Sequence, residues 1–175
     1  MGKTSAVHLI CHNQPLSSPA WTVGCALEVK LHEYKEGTPQ QKTYFVDLWD
    51  VGGSSSHQNA RSVFHNGVNG VILVHDLNNR KSEVNLRKWV MEILNRDNGN
   101  KASHQSHSED DFDPEQFAGS SNIPIFVIGT KVDTADGFRN RSTTSRASSI
   151  AEECGADEIF MVSYHSLRRL SQENN

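Results

Sequence analysis

Trp49-Asp50-Val51-Gly52-Gly53 closes an alternating segment, Lys42 to Asp50 (KTYFVDLWD), with a carboxylate and two glycines at the end of a predicted strand. Ligands of open α/β sheets sit beyond the carboxyl ends of strands. A carboxylate such as Asp50 can hold Mg²⁺ there through water, and Gly53 offers an N–H that approaches a terminal phosphate without Cβ interference. Taken alone, the same residues also read as a strand ending in a glycine turn. What decides between the two is the rest of the chain.

Upstream, Thr4 to Asn13 reads as a short helix, and Ala26 to Tyr34 alternates: Leu27, Val29 and Leu31 on one side, Glu28, Lys30 and His32 on the other. Such a strand has one face exposed and belongs near a sheet edge. Lys35 to Pro39 is turn chemistry, which makes the segment to Asp50 the returning strand of a hairpin. Downstream, Val68 to Asp76 and Ile123 to Gly129 are short, nearly continuous apolar runs, as in strands buried on both faces of a parallel sheet. Between them Leu86, Trp89, Val90, Ile93 and Leu94 follow helical spacing. Strand, helix, strand in this order is a right-handed βαβ unit. Ser142 to Cys154 predicts a weaker helix, closed by Gly155, and Glu158 to Ser163 a last strand. Residues 98–121, polar and rich in Ser, His and acids, read as a flexible insertion in a single domain spanning 1–175.

Composition narrows the partners. The 175 residues are 35% hydrophobic, enough for one core, and carry a formal charge of −4 from 17 basic and 21 acidic residues without a basic block. Nucleic acid is a poor candidate for a partner on that ground, since phosphate backbones need clustered Lys and Arg. Cys11, Cys25 and Cys154 are scattered without CxxC spacing, which fits reduced thiols and a cytoplasmic location. No run approaches the roughly 20 apolar residues of a membrane span. The tail, Ser171 to Asn175, offers no cysteine to prenylate, so no lipid anchor is expected.

Two more pieces complete the pattern. Gly2-Lys3-Thr4-Ser5 opens a helix, as a phosphate loop does: backbone N–H groups surround anionic oxygens, the lysine adds a charge, and the hydroxyl reaches Mg²⁺. Gly129-Thr130-Lys131-Val132-Asp133 follows a buried strand. There Asp133 can accept two hydrogen bonds from the N1 and N2 edge of guanine, whereas adenine donates nothing at that edge. Each charge-assisted bond is worth about 1.5–3 kcal/mol, so the pair supplies a hundredfold or more in base choice. Lys131 would lay its stem along the base. Lys3, Asp50 and Asp133 are expected to serve one nucleotide, and an adenine-using kinase is disfavoured because it leaves Asp133 without a purpose.

In order and spacing these pieces resemble the Rab-like small GTPases of the Ras superfamily, over about Gly2 to Asp133. The segments WTVGCALEVKLHEYKEGTPQQKTYFVDLWDVGG and VHDLNNRKSEVNLRKWVMEILNRD carry the likeness most clearly. The resemblance implies a three-layer P-loop GTPase fold: an α/β sheet, mixed and mostly parallel, with helices on both faces. It implies GTP/GDP and Mg²⁺ as cofactors, with Gly2, Lys3, Thr4 and Ser5 at the phosphates. Thr22 would be the first-switch threonine that senses the γ-phosphate, Asp50 and Gly53 the second-switch pair, and Thr130, Lys131 and Asp133 the guanine readers. Thr4, Thr22 and Asp50 would be the magnesium set. Protein effectors and regulators would be the partners, with Trp21, Phe45 and Trp49 as an effector-binding aromatic patch; core packing is the competing reading for Phe45 and Trp49.

The chain departs from the pattern in four places. The first strand and the leading glycines of the phosphate loop are not seen, which would leave neighbouring strands with unpaired edges and favour homodimers. Losing about four loop N–H bonds at roughly 0.5–1.5 kcal/mol each would weaken nucleotide affinity by about ten- to ten-thousandfold. Met1 then falls inside the phosphate loop, as in a fragment of a longer GTPase, which is expected to fold poorly and bind little nucleotide. Ser54 stands where relatives carry a water-orienting glutamine and is too short for that task, so hydrolysis is expected to be weak or lost. Thr130 replaces an asparagine and covers only part of its bonding. Val162 to His165 is the nearest candidate for the last guanine loop, and the closing helix is missing. The alternative function is a non-catalytic, GTPase-shaped interaction module, an adaptor with impaired nucleotide binding. His104 and His107 beside Glu109, Asp110, Asp111 and Asp113 suggest a metal, but a solvated loop explains them better.

Overall fold

In the computed structural model, residues 2–54, 61–65, 67–97, 123–135 and 148–162 are described. They fall into two units, one of residues 2–64 and one of residues 65–162. The expected insertion, the acidic histidine cluster and residues 142–147 and 163–165 lie outside the described residues.

The first unit consists of helix α1 (Lys3–His12) and an antiparallel hairpin, β1 (Cys25–Tyr34) with β2 (Lys42–Val51), in register from Cys25 opposite Val51 to Tyr34 opposite Lys42. The expected turn lies between them. Lys35 and Gly37 take positive φ (51° and 74°), and the Thr38 N–H donates to the Lys35 carbonyl at 3.1 Å. The alternation of β1 is present, but the apolar side is the exposed one: Leu27, Val29 and Leu31 are 49–57% exposed. Helix α1 is joined instead to the polar side. His12 pairs with Glu28, the Lys30 ammonium donates to the Ile10 carbonyl, and the Thr4 hydroxyl donates to Asp50. Directional bonds between polar partners thus join the helix to the hairpin, and Ala6 of α1 is buried.

The second unit is a parallel three-stranded sheet in the order β3 (Val71–Asp76), β4 (Ile125–Thr130), β5 (Asp157–Met161). Two helices, α2 (Arg80–Asp97) and α3 (Ser149–Cys154), connect the strands. This is the α/β class expected from the apolar runs. Leu73, Leu86, Val90, Val127, Ile150 and Ala151 form the core, with Trp89 and Ile125 packed against it. Leu86 and Val90 are one turn apart, so the helical spacing read in the sequence is the one buried. An Arg87–Glu153 ion pair joins α2 to α3. Helix α3 is capped by the Ser148 side chain and stopped at Gly155, whose φ of 60° suits glycine.

A buried pair crosses the sheet. His75 on β3 and Glu158 on β5, each with a side chain 3% exposed, meet at 2.9 Å over β4. The second Glu158 oxygen accepts the Ser148 N–H at 2.6 Å, so one carboxylate ties β5 to both β3 and the start of α3. Burial alone would raise the pKa of Glu158, but the hydrogen bonds from His75 and Ser148 outweigh it and hold the group below its ordinary 4.5. The three cysteines are free, half-buried thiols, and burial pushes their pKa values up.

Two predictions follow from this packing. Leu86→Ala removes a buried side chain and should cost about 2–5 kcal/mol in urea unfolding, whereas Val84→Ala, at an exposed position of the same helix, should stay within about 0.5 kcal/mol. Because the folded pKa of Glu158 is depressed, its contribution is complete above the unfolded value and is lost as pH falls below about 4.5 through the folded pKa. Glu158→Gln should therefore lower stability at neutral pH and flatten the acid limb of a stability–pH curve. An acid limb as steep as that of the wild type would refute this assignment.

Candidate functional site

The first unit gathers one end of the expected site. Gly2, with φ of 90°, leads into α1 in a left-handed conformation that suits glycine, and no side chain caps the helix. The first turn holds no acidic residue, and the first intrahelical bond is from the Ala6 N–H to the Gly2 carbonyl at 2.9 Å. The opening N–H groups of Lys3, Thr4 and Ser5 thus stand at the positive end of the helix dipole. Lys3 and Ser5 are half-buried.

Asp50 is 3% exposed. One of its oxygens, Oδ2, accepts the Thr4 hydroxyl at 2.6 Å and the Thr22 hydroxyl at 2.8 Å, and the two hydroxyls are 2.9 Å apart. The other oxygen, Oδ1, is buried with no hydrogen-bond partner. A buried acceptor left unmade costs about 1–3 kcal/mol, and more when charged. Two hydroxyls and a carboxylate are hard oxygen donors of the kind Mg²⁺ takes, and a cation at this cluster satisfies the bare oxygen. The three residues expected to form the magnesium set are therefore adjacent. They come from α1, the loop before β1, and the end of β2.

Gly52 positions this loop. Its N–H donates to the Gly24 carbonyl at 2.7 Å, and a Cβ built on it would meet the Thr22 carbonyl oxygen at 2.7 Å and that of Gly24 at 2.9 Å. Both obstacles are backbone, so the segment carrying Thr22 rests directly on this glycine. Sequence reasoning assigned Gly53, which is exposed, and missed Gly52; close approach of two backbones leaves no sequence signal beyond the glycine itself. Ser54 is exposed, and its carbonyl accepts a long bond from Arg61 at 3.4 Å. The core-packing reading of the aromatic residues is corrected: Phe45 is 78% and Trp49 49% exposed, and Trp21 is 95% exposed. Trp49 retains a tilted ring contact with Phe64 at 5.8 Å.

The second unit gathers the other expected residues at the ends of β3 and β4. The Thr130 hydroxyl donates to the His75 carbonyl at 2.8 Å, tying the two strand ends together. Lys131 adopts φ of 65°, a left-handed conformation uncommon for lysine, and its ammonium lies 2.6 Å from the Asp76 carboxylate. Burial alone would raise the Asp76 pKa, but the bond and charge of Lys131 and the Asn78 N–H hold it below the ordinary range. Ser82 bonds to the Asp76 backbone, and Asn78 to the Thr134 hydroxyl at 2.8 Å. Asp133, half-buried, lies in this knitted loop. Asp76 was not read from the sequence. Its signal was available, because neighbouring parallel strands end at one edge and Asp76 pairs in register with Thr130.

Comparison with known proteins settles the ancestry. The family described as "Ras of Complex, Roc, domain of DAPkinase" matches residues 1–104. Rab-like protein 3 of Mus musculus is 49% identical over 163 residues, covering 91% of this chain and 68% of that protein. That of Xenopus tropicalis is 50% identical with the same coverage. The chain belongs to the small-GTPase family. A more distant relative, Small GTPase LIP1 of Arabidopsis thaliana, is 34% identical over 145 residues, 77% of this chain and 39% of that protein. For a Rab-like small GTPase the family implies guanine-nucleotide binding and contact with effector proteins. Among the described residues, no helix is long and apolar enough to cross a membrane.

Gly52→Ala should lower stability by about 1–3 kcal/mol, because backbone must shift to admit the methyl group. Gly70→Ala, whose Cβ meets Pro124 at an ordinary 3.6 Å, should leave stability unchanged or raise it by up to about 1 kcal/mol. Thermal unfolding of the two variants checks the contrast.

Proposed function

We propose that the chain is a guanine-nucleotide switch of the Rab-like type, cycling between GTP and GDP with Mg²⁺ and serving intracellular signalling or vesicle traffic in the cytoplasm. The observation that carries this reading is the buried Asp50 carboxylate, which has two threonine hydroxyls on one oxygen and nothing on the other. A structural aspartate gains nothing from a bare buried oxygen, whereas a cation-binding one can use it. Thr4, Thr22 and Asp50 would hold the ion, which when bound neutralises phosphate charge. Gly2, Lys3, Thr4 and Ser5 would bind phosphate oxygens through the uncapped start of α1, and Gly53 would present its N–H to the terminal phosphate. Thr130, Lys131 and Asp133 would read the base. In that role Asp133 accepts from guanine while Lys131, steadied by Asp76, covers the ring.

Because Thr22 bonds to the same oxygen as Thr4, the loop carrying it would be held or released with the magnesium site, which is the switching step. Ser54 has no side chain long enough to orient an attacking water, so hydrolysis would be slow. A second reading, a nucleotide-independent adaptor, draws support from the outward apolar side of β1 and from the exposed Phe45 and Trp21. Competition binding against a fluorescent GTP analogue separates the two. Unlabelled GTP should compete far better than ATP in the presence of Mg²⁺, and Asp133→Ala should reduce that preference by about a hundredfold, the value of two charge-assisted bonds. Equal competition by both nucleotides in the unaltered chain would favour the adaptor.

A further inference from the structure

The seam between α1 and β1 carries a second cluster that the nucleotide reading does not use. His8 and His12 are one helical turn apart, so their rings project from one face of α1. The ring centroids lie 4.4 Å apart. Both face Glu28 of β1: His12 Nε2 is 2.8 Å from Glu28 Oε2, and His8 Nδ1 is 3.9 Å from Glu28 Oε1. One ligand atom from each of the three residues lies within 4.8 Å of the others. Donors in a tetrahedral zinc site, each about 2.0–2.1 Å from the ion, are roughly 3.3 Å apart. The observed separations straddle that value, so small rotations of the side chains bring all three into range.

The chemistry is selective as well as the spacing. Two imidazoles and a carboxylate suit zinc and its neighbours in the transition series, not magnesium, which prefers oxygen alone. His12 is 52% exposed, which leaves an entry path, whereas His8 and Glu28 are about three-quarters covered. We propose that His8, His12 and Glu28 form a Zn²⁺-binding site that bridges α1 to β1, separate from the Thr4–Asp50 cluster. The bound ion replaces the His12–Glu28 hydrogen bond with three coordinate bonds and clamps the helix that begins at Gly2 onto the hairpin. The site rests on none of the residues assigned to nucleotide, so it stands or falls independently of that function.

Competition with a chromophoric zinc chelator, in excess Mg²⁺ and without nucleotide, tests the site. One Zn²⁺ should bind per chain. Loss of an outer partner alone costs a metal site about tenfold or more, so removing a ligand through His8→Ala, His12→Ala or Glu28→Gln should cost at least that. A double change, His104→Ala with His107→Ala, should leave the affinity unchanged. Unaltered binding in the three ligand variants, or its loss in the double variant, overturns the proposal. Should the variants fail to fold, long-range ¹⁵N spectra of the unaltered protein decide the matter. Zinc should shift the ring nitrogens of His8 and His12 selectively, and a titration that leaves both rings unmoved overturns the proposal.

Discussion

Asp50 is a charge placed where water does not reach, and the first unit is arranged around that fact. Its carboxylate collects a hydroxyl from the first turn of α1 and another from the loop before β1, so three separate stretches of chain meet on one oxygen. Thr4 and Thr22 thus share one acceptor at the end of β2. With it, the helix start, the Thr22 loop and the hairpin share a single reference point. Gly52, two residues on, supplies the complementary steric condition by admitting the loop backbone to contact distance. Electrostatics selects the arrangement and the missing side chain permits it.

The second unit solves a related problem by other means. Its strands are buried by apolar contact with α2 and α3, and the polar work is confined to strand ends. Thr130 joins β4 to β3 through a carbonyl, and Lys131, in a conformation that costs about 1–3 kcal/mol, is held by Asp76. Glu158 does the same for the start of α3. The loop after β4 is thereby tied to the end of β3 through Lys131–Asp76 and Asn78–Thr134.

How much of this was legible in the sequence depended on whether the signal was local. The runs read at Val68 to Asp76 and Ile123 to Gly129 contain most of β3 and β4, and the spacing of Leu86 and Val90 is the buried one, because such burial leaves a continuous pattern. Thr4, Thr22 and Asp50 were named from motifs, and the geometry brings them together. The side of β1 that meets α1 was not legible. Alternation marks two faces but does not say which is covered, and here it is the polar one, whose Glu28 and Lys30 bond to α1. Asp76 and Gly52 escaped notice for a common reason: their importance lies in what approaches them from elsewhere in the chain. Phe45 and Trp49, which composition alone would bury, are held outward because the hairpin turns their side away from α1.

The polar seam of α1 on β1 also bears on calorimetry. Apolar surface exposed on unfolding raises heat capacity, while polar surface lowers it. A helix docked through His12–Glu28, Lys30–Ile10 and Thr4–Asp50 frees these polar partners when it detaches, along with the buried Ala6. The polar share lowers the heat capacity of that step, whereas the Leu73–Val127 core follows the curved profile of an oily interior. Cooling weakens apolar contacts and spares polar ones.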